Sequence, residues 1–334
     1  MPIPPSTLQK MRDTLEIYWL LARIIVPITI ATELLSRMGV IDALAPAFAP
    51  VMRLVGLPPE LGLAWLSGML VGIWGAVPLV FVLVPVSSLS VAEVTVFSAL
   101  LLFAHGLPVE QKIIQKAGPR MIATTLLRIV GGVLYAFLLH QLLAATGWLS
   151  APVNPAWRPT GETLAWSGFF LQLLEMMVWM LVILLALSFG LDLLKVTGIL
   201  ALMMKTLSPL LRLAGIRGEA GHLTAVGLFL GISYGGGLLI REARSGTVSA
   251  RQVFLSCVFM GFAHSIIEDT LIVMALGADV SGVLLGRLVF AVIATAAIGA
   301  VIRSMSDETF ARWVFMAPDA AADPSSPGAA GRWP

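Results

Sequence analysis

Two histidines, His105 and His264, occupy the same place in two copies of a short motif. The first copy reads FAHGLPVEQ and the second reads FAHSIIEDT, so each histidine is closely followed by a carboxylate. An ionisable side chain is expensive inside a membrane, and its repetition argues for a polar pathway. A core histidine that hydrogen-bonds a backbone carbonyl is the competing interpretation, and both remain open for this pair.

The carboxylates near these histidines are not arranged in the same way in the two copies. His264 and Glu268 are four residues apart, so a continuous helix would place them on one face, where they could bind a metal or relay a proton. Val109 stands at the position equivalent to Glu268, with Glu110 next to it. Two groups do not complete a metal site, so no metal site is predicted. The residues expected to bind a solute or coupling ion are His105, Glu110, His264, Glu268 and Asp269.

Three further charged residues fall inside apolar stretches. Arg128 follows Glu110, and Arg287 follows Asp269, at the same spacing in both copies. A buried arginine needs a carboxylate or a substrate anion as its partner, and an ion pair is the favoured interpretation. Glu175 is predicted to be a third buried charge that needs a partner.

The chain matches itself without a gap when the shift that aligns His105 with His264 is applied throughout. About 25 identities occur over about 124 aligned positions, where chance in such a composition gives fewer than about one in ten. The matched pairs include the Phe-Ala-His motifs, Arg128 with Arg287, and Gly72 with Gly231. The protein is therefore a duplication of one unit.

The composition excludes a soluble domain. Mean hydropathy is +0.94, with 58% hydrophobic and 12% charged residues in 334, and a soluble surface needs about twice that charge. We predict an all-α polytopic membrane protein with a retained first helix. The single Cys257 excludes an internal disulfide. P-loop and HExxH motifs are absent, so no enzyme activity or cofactor is expected.

Four stretches are long enough to cross a membrane as helices. They are Leu15 to Leu35, Ile122 to Leu143, Leu164 to Phe189 and Val280 to Ile302. Each half also contains a short amphipathic stretch, a glycine-interrupted apolar segment and a helix broken near its histidine. The glycine-interrupted segment either crosses the membrane or enters and turns back.

The distribution of Lys and Arg favours the second alternative. With re-entrant hairpins and an N-terminus inside, about 15 Lys/Arg are cytoplasmic and about 3 are outside; full spans give about 9 on each side. Each half then crosses three times, so the two repeats are inverted relative to each other. The predicted domains are a first repeat (1–145), a periplasmic connector (146–163), a second repeat (164–304) and a cytoplasmic, largely disordered tail (305–334). Both termini are predicted to be cytoplasmic.

The hairpin tips are the second group of candidate binding residues. Broken backbone at membrane depth must be enclosed by protein or face water, and a half-helix N-terminus can hold an anion or an electron-rich solute edge. Glycines that merely allow close helix packing are the alternative interpretation. The tip residues are Gly72, Gly75 and Pro78 in the first repeat, and Ser233, Tyr234, Gly235 and Gly236 in the second.

Several of these motifs together resemble the nucleoside recognition (Gate) domain family. They are APVMRLVGLPPELG, LSPLLRLAGIRGEAG, the glycine-broken hairpin after each, and the broken helices with His105 and His264. The resemblance covers most of the chain. It implies a layout similar to concentrative nucleoside transporters and to the membrane core of ferrous-iron transporters. The chain departs from the iron transporters because it lacks a P-loop and has no cysteine at the hairpins.

We therefore expect a secondary transporter of a small solute, with nucleoside-like molecules among the candidates, in the bacterial cytoplasmic (inner) membrane. Its partners would be membrane lipid, the solute, a coupling proton or cation, and a second copy in a homo-oligomer, with no nucleic acid. A non-transporting scaffold or assembly factor with the same fold is the alternative. An intramembrane enzyme acting on lipid is disfavoured because no metal-ligand set is complete.

Overall fold

The computed structural model describes residues 7–156, 166–218, 220–221, 223–229, 231–232, 240, 243 and 248–316. Apart from two isolated β-bridges, the regular structure of this part of the chain is helical. The helices of the first half are α1 (Thr7–Arg37), α2 (Val40–Leu54), α3 (Leu61–Val71), α4 (Ile73–Leu83), α5 (Val91–Phe103), α6 (Leu107–Lys116) and α7 (Met121–Thr146).

The second half repeats this order. Its helices are α8 (Trp166–Val196), α9 (Ile199–Leu213), α10 (Ala250–Phe262), α11 (Glu268–Ala275), α12 (Arg287–Ser304) and α13 (Asp307–Trp313), with a π-helical turn at Ser281–Gly286 before α12. The shift that aligns the two histidines also aligns both ends of α9 with those of α2, and both ends of α10 with those of α5. Residues 223–229, which are also helical, correspond to part of α3. The duplication seen in the sequence is therefore a duplication of structure.

Helices α3 and α4 fold back on each other at Gly72. In a continuous helix, residues eight apart lie about 12 Å apart along the axis. Here a Cβ on Gly68 would lie 3.0 Å from the Cβ of Ala76, and the Ser67 hydroxyl donates to the Gly75 carbonyl at 2.8 Å. Gly72 has a φ of 117° and a ψ of 179°, a combination that is almost confined to glycine. The glycine therefore sets the turn of the hairpin.

The helix before each histidine ends at the preceding phenylalanine. Ser90 and Ser249 cap the starts of α5 and α10 by accepting from the backbone N–H groups of Glu93 and Gln252. Ala104–Gly106 separates α5 from α6, with Gly106 left-handed at a φ of 59°. The second break is longer and holds Ser265 at a φ of 47°. Both breaks displace the chain next to a histidine.

The outer surface is apolar, as expected for a membrane protein. Three helical stretches of the described residues are long and apolar enough to cross a membrane: Val91–Lys116, Met121–Thr146 and Ser281–Ser304. Exposed leucine, valine and isoleucine side chains follow one face of α7 and α12 at helical spacing. The first of the three stretches contains the break at His105 and is mostly enclosed by other helices.

Residues 305–316, at the start of the predicted tail, fold against the rest of the protein. Ser306 caps α13 by accepting from the Thr309 N–H. Phe310 and Phe315 stack with ring centroids 5.7 Å apart, and both are buried. The Met316 N–H donates to the Gly118 carbonyl at 2.7 Å, which fixes the segment to the loop between α6 and α7. These bulky apolar residues precede the small, polar sequence on which the expectation was based. Residues 317–334 lie outside the described part.

Candidate functional site

The two breaks bring His105 and His264 together inside the protein. Their Nε2 atoms are 3.1 Å apart, and their ring centroids are 4.8 Å apart. The exposed fractions of the two residues are 5% and 1%. Residues that are far apart in the sequence and equivalent in the two repeats thus face each other across the boundary between the repeats.

Hydrogen bonds identify the nitrogen that carries the proton in each neutral ring. Nδ1 of His105 lies 3.2 Å from the Leu101 carbonyl oxygen, and Nδ1 of His264 lies 2.9 Å from the Met260 carbonyl oxygen. A carbonyl oxygen only accepts, so each Nδ1 must donate. The Nε2 atoms then hold lone pairs, and these lone pairs face each other.

Two carboxylates approach the histidine pair, one from each repeat. Glu110 Oε1 lies 3.2 Å from His264 Nε2, and Asp269 Oδ2 lies 3.4 Å from His105 Nε2. Both carboxylates stand in the first turn of a helix, α6 and α11, where the helix dipole stabilises negative charge. The same shift that relates the histidines also relates Glu110 to Asp269. The cluster therefore has approximate twofold symmetry.

Arg128 and Arg287 hold the two broken segments. Arg128 donates from Nε to the Phe103 carbonyl at 2.7 Å and from a terminal nitrogen to the His105 carbonyl at 3.0 Å. Arg287 makes the equivalent bonds to Phe262 at 2.7 Å and to His264 at 3.2 Å. These carbonyls belong to helix ends, which lack helical partners. Each arginine thus satisfies the backbone that its own repeat leaves open.

The arginines differ in their remaining contacts. Arg128 forms an ion pair with Glu110 at 2.5 Å, as the ion-pair interpretation predicted. Arg287 instead donates to the Leu102 carbonyl of the other repeat at 3.1 Å, and its remaining terminal nitrogen has no hydrogen-bond partner among the described residues. Asp269 Oδ2 likewise has no hydrogen bond within that part of the chain.

Glu268 and Glu175 do not take the places expected of them. The helix does not continue from His264 to Glu268, because α11 begins only at Glu268. The two residues therefore do not share a helix face, although they are four positions apart. Among the described contacts it is Asp269, not Glu268, that reaches the imidazoles. Glu175 lies exposed on α8, so the prediction of a buried charge is wrong at this position, because α8 presents that face outward.

The hairpins contact the breaks rather than standing apart from them. The Gly106 N–H donates to the Gly68 carbonyl in α3 at 2.9 Å, and the Ile266 N–H donates to the Leu228 carbonyl at 3.0 Å. A Cβ on Gly231 would lie 2.5 Å from the Ser265 hydroxyl. Gly72, Gly75 and Pro78 line the turn and first part of α4, where Gly75 and Pro78 are buried. Ser233, Tyr234, Gly235 and Gly236 lie outside the described residues.

The fold brings together more metal-ligand side chains than the sequence spacing indicated. Ligand atoms of His105, His264 and Asp269 all lie within 4.8 Å of one another, and Glu110 adds a fourth oxygen. The sequence contained a signal for this set: the shifted alignment places one acidic residue on another at Glu110 and Asp269. A count of identities misses that pair because the two residues differ in type.

Comparisons with known proteins agree with the duplication. The family described as nucleoside recognition, Gate, matches residues 18–120 and again residues 177–280. An uncharacterised membrane protein of Bacillus subtilis (strain 168), YvoD, is 28% identical over 290 residues, which cover 84% of this chain and 89% of that protein. No solved structure matches the chain. With two matched copies that together span more than half of its length, the chain belongs to the nucleoside recognition (Gate) family of membrane proteins.

Proposed function

We propose that this protein is a secondary transporter, and not an enzyme, that moves a small solute across the bacterial cytoplasmic membrane by alternating access. Nucleoside-like molecules are the first candidates because of the family to which the chain belongs. One observation carries the proposal: two broken helices meet at a buried cluster of imidazoles, carboxylates and arginines inside an apolar helical body.

Such a cluster is difficult to explain by stability alone. Non-helical backbone at membrane depth is tolerated where protein encloses it or where it lines a cavity. Ionisable residues inside membrane proteins are rare and commonly mark substrate, ion or proton pathways. The described part of this chain concentrates both features at one place, next to two hairpins. A transport pathway accounts for that coincidence.

Alternating access also requires two halves that move against each other. We propose that the repeats have opposite senses in the membrane, with six crossings, two re-entrant hairpins and both termini in the cytoplasm. Arg128 and Arg287 donate to corresponding carbonyls of the two repeats, which supports an equivalent role of the two halves. Cysteines placed at Ser87 and Ser245 in a Cys257→Ser background should label from opposite sides. Labelling from the same side would contradict the inverted arrangement.

Transport is tested with purified protein in liposomes. Counterflow, in which unlabelled solute inside drives uptake of labelled solute, needs no knowledge of the coupling ion. A panel of nucleosides, nucleobases and small organic anions should contain a solute that accumulates above protein-free liposomes. His105→Gln and His264→Gln should abolish that uptake, whereas His140→Gln, outside the cluster, should preserve it.

The alternative is a membrane scaffold with the same fold. Gly68→Leu would obstruct the contact between α3 and the break, because a Cβ added at Gly68 already overlaps Cδ1 of Leu101. A scaffold that acts through its outer surface should retain its cellular function in this variant. If the folded variant complements a deletion strain fully, and no solute of the panel shows counterflow, the transport proposal fails.

A further inference from the structure

We propose that His105, His264, Asp269 and Glu110 bind one divalent transition-metal ion at the boundary between the two repeats. The ligand atoms would be the two Nε2 atoms, Asp269 Oδ2 and Glu110 Oε1. This inference does not rest on transport, because the site is argued from its own atoms. It adds a metal to a cluster that the transport proposal uses only as a polar centre.

The distances fit a tetrahedral ion. Metal–nitrogen and metal–oxygen bonds of about 2.0–2.2 Å place neighbouring ligands of a tetrahedral ion about 3.3–3.6 Å apart. In the cluster the Nε2 atoms are 3.1 Å apart, Asp269 Oδ2 is 3.4 Å from His105 Nε2, and Glu110 Oε1 is 3.2 Å and 3.7 Å from the Nε2 atoms of His264 and His105. These four distances are therefore close to ligand spacing, and the Asp269 oxygen lies within 4.8 Å of both histidine nitrogens.

The cluster leaves its electron pairs without donors. Each Nδ1 donates to a backbone carbonyl, so two Nε2 lone pairs point at each other in surroundings that exclude water. Asp269 is 5% exposed, and its Oδ2 has no hydrogen bond from the described residues. A buried acceptor without a partner is costly. A cation held between these atoms removes all of these deficits together.

The surroundings of the ligands are those of a metal site. Metal-binding histidines commonly donate their other ring N–H to a carbonyl or carboxylate, and ligating carboxylates are themselves hydrogen-bonded. Leu101 and Met260 provide the carbonyls. Arg128 binds Glu110 through Oε2, which leaves Oε1 directed at the histidines. The rings and the Glu110 carboxylate are thus oriented before any ion arrives.

The nearby arginines do not exclude a cation. Arg128 donates two hydrogen bonds, and Arg287 three, to carbonyl oxygens at the ends of α5 and α10 or in the breaks that follow. Helix C-termini carry partial negative charge, so part of each positive charge is balanced there. As deprotonated metal ligands, the two carboxylates would add two negative charges at the cluster itself.

The donor set restricts the kind of metal. Two imidazole nitrogens with two carboxylate oxygens suit zinc, iron, cobalt, nickel or manganese, whereas magnesium and calcium prefer sites made only of oxygen. The small number of ligands and their spacing favour a tetrahedral ion such as Zn²⁺, for which Co²⁺ is a coloured substitute.

The test is direct binding to the purified full-length protein in detergent. Co²⁺ is added and the visible absorption of tetrahedral cobalt is recorded; Zn²⁺ should then displace it with a stoichiometry of one. Mg²⁺ at a large excess should not. Loss of a hydrogen bond that only orients a ligand weakens metal binding about 10–100-fold. We therefore expect His105→Gln, His264→Gln and Asp269→Asn each to weaken Zn²⁺ binding at least about 100-fold.

Two variants are matched controls. His140→Gln removes a histidine of α7 that is not part of the cluster, and Glu268→Gln removes the carboxylate next to Asp269; both should bind Zn²⁺ as the wild type does. Wild-type protein that elutes as a single folded species but gives no tetrahedral cobalt spectrum overturns the proposal and leaves a proton between the histidines as the occupant. Equal binding by Asp269→Asn and Glu268→Gln also overturns it. Because no transport is measured, metal binding without solute counterflow would support this inference while contradicting the transporter.

Discussion

Replacing Arg128 by methionine should destabilise the protein strongly and in a way that Glu110 controls. Arg128 is 2% exposed, pairs with Glu110 at 2.5 Å and donates to two backbone carbonyls. Removing one partner of a buried ion pair costs about 3–5 kcal/mol, because the other charge is left uncompensated. The methionine also leaves the carbonyls of Phe103 and His105 without donors.

The loss of stability caused by the unpaired Glu110 charge can be separated from the loss caused by the carbonyls without donors. In the double variant Arg128→Met with Glu110→Gln no charge is left alone, so we expect it to recover about 1.5–3 kcal/mol, the upper part of the range for residues in contact. Arg287→Met is the matched control, since Arg287 makes the equivalent carbonyl bonds in the second repeat but no ion pair with Glu110. Glu110→Gln should recover at least about 1 kcal/mol less in that background.

The assay is equilibrium unfolding in mixed micelles with increasing SDS, followed by far-UV circular dichroism. The four proteins of each cycle give one coupling energy for each arginine. Equal coupling energies for Arg128 and Arg287 would refute the assignment of Glu110 to Arg128. A cost below about 1 kcal/mol for Arg128→Met would refute the view that this side chain stabilises the break.

Three further changes test other parts of the fold. Gly72→Ala should lower the free energy of unfolding by about 1–3 kcal/mol, because the φ of 117° is disfavoured for alanine. A Cβ at this position meets nothing within 4 Å, so the cost would not come from a clash. An unchanged stability would show that the turn does not hold residue 72 at this φ. Phe310→Ala should release α13, since it removes the ring that stacks on Phe315, and trypsin cleavage at Arg312 should accelerate at least tenfold; unchanged cleavage would show that α13 does not depend on this packing. Tyr135→Phe removes a hydroxyl that donates to the Gly282 carbonyl at 2.6 Å. It should lower the free energy of unfolding in the same SDS titration by about 1–3 kcal/mol, and an unchanged value would show that the bond is absent in the membrane.

The sequence predicts the repeat and the broken helices better than it predicts which residues of the two repeats come into contact. The constant shift between the two copies identifies the repeat, and the FAH motifs identify the broken helices. Both signals depend only on residue types within short stretches of the sequence. The ion pair of Arg128 with Glu110 is also predicted, since both residues belong to one repeat. Contact between His105 and His264 depends on how one repeat packs on the other, and no spacing within either repeat encodes that packing.

The misplaced carboxylates have a specific cause. Pairing His264 with Glu268 assumes helical periodicity, yet α11 begins only at Glu268. The break displaces the chain, so the next residue, Asp269, faces His105 instead. Glu175 was judged by its position along an apolar stretch, and linear position does not determine which face of α8 is covered. The tail was judged by average composition, which concealed the bulky residues around Phe310.

The break, the arginine and the carboxylate form a chain of physical requirements. A helix that stops at Phe103 leaves carbonyls without hydrogen-bond partners, and the lipid core holds no water that could donate to them. Arg128 supplies the missing donors, but its buried charge then requires a counter-charge, which Glu110 provides through one oxygen. The second oxygen is thereby aimed at the histidine of the other repeat. In the second repeat Arg287 bonds the carbonyls but leaves Asp269 Oδ2 without a hydrogen bond from the described residues. Duplication therefore yields two arginines that hold the backbone in nearly the same way, and one carboxylate oxygen, Asp269 Oδ2, that lacks a hydrogen bond from the described residues. A bound cation would stabilise the cluster most at this oxygen.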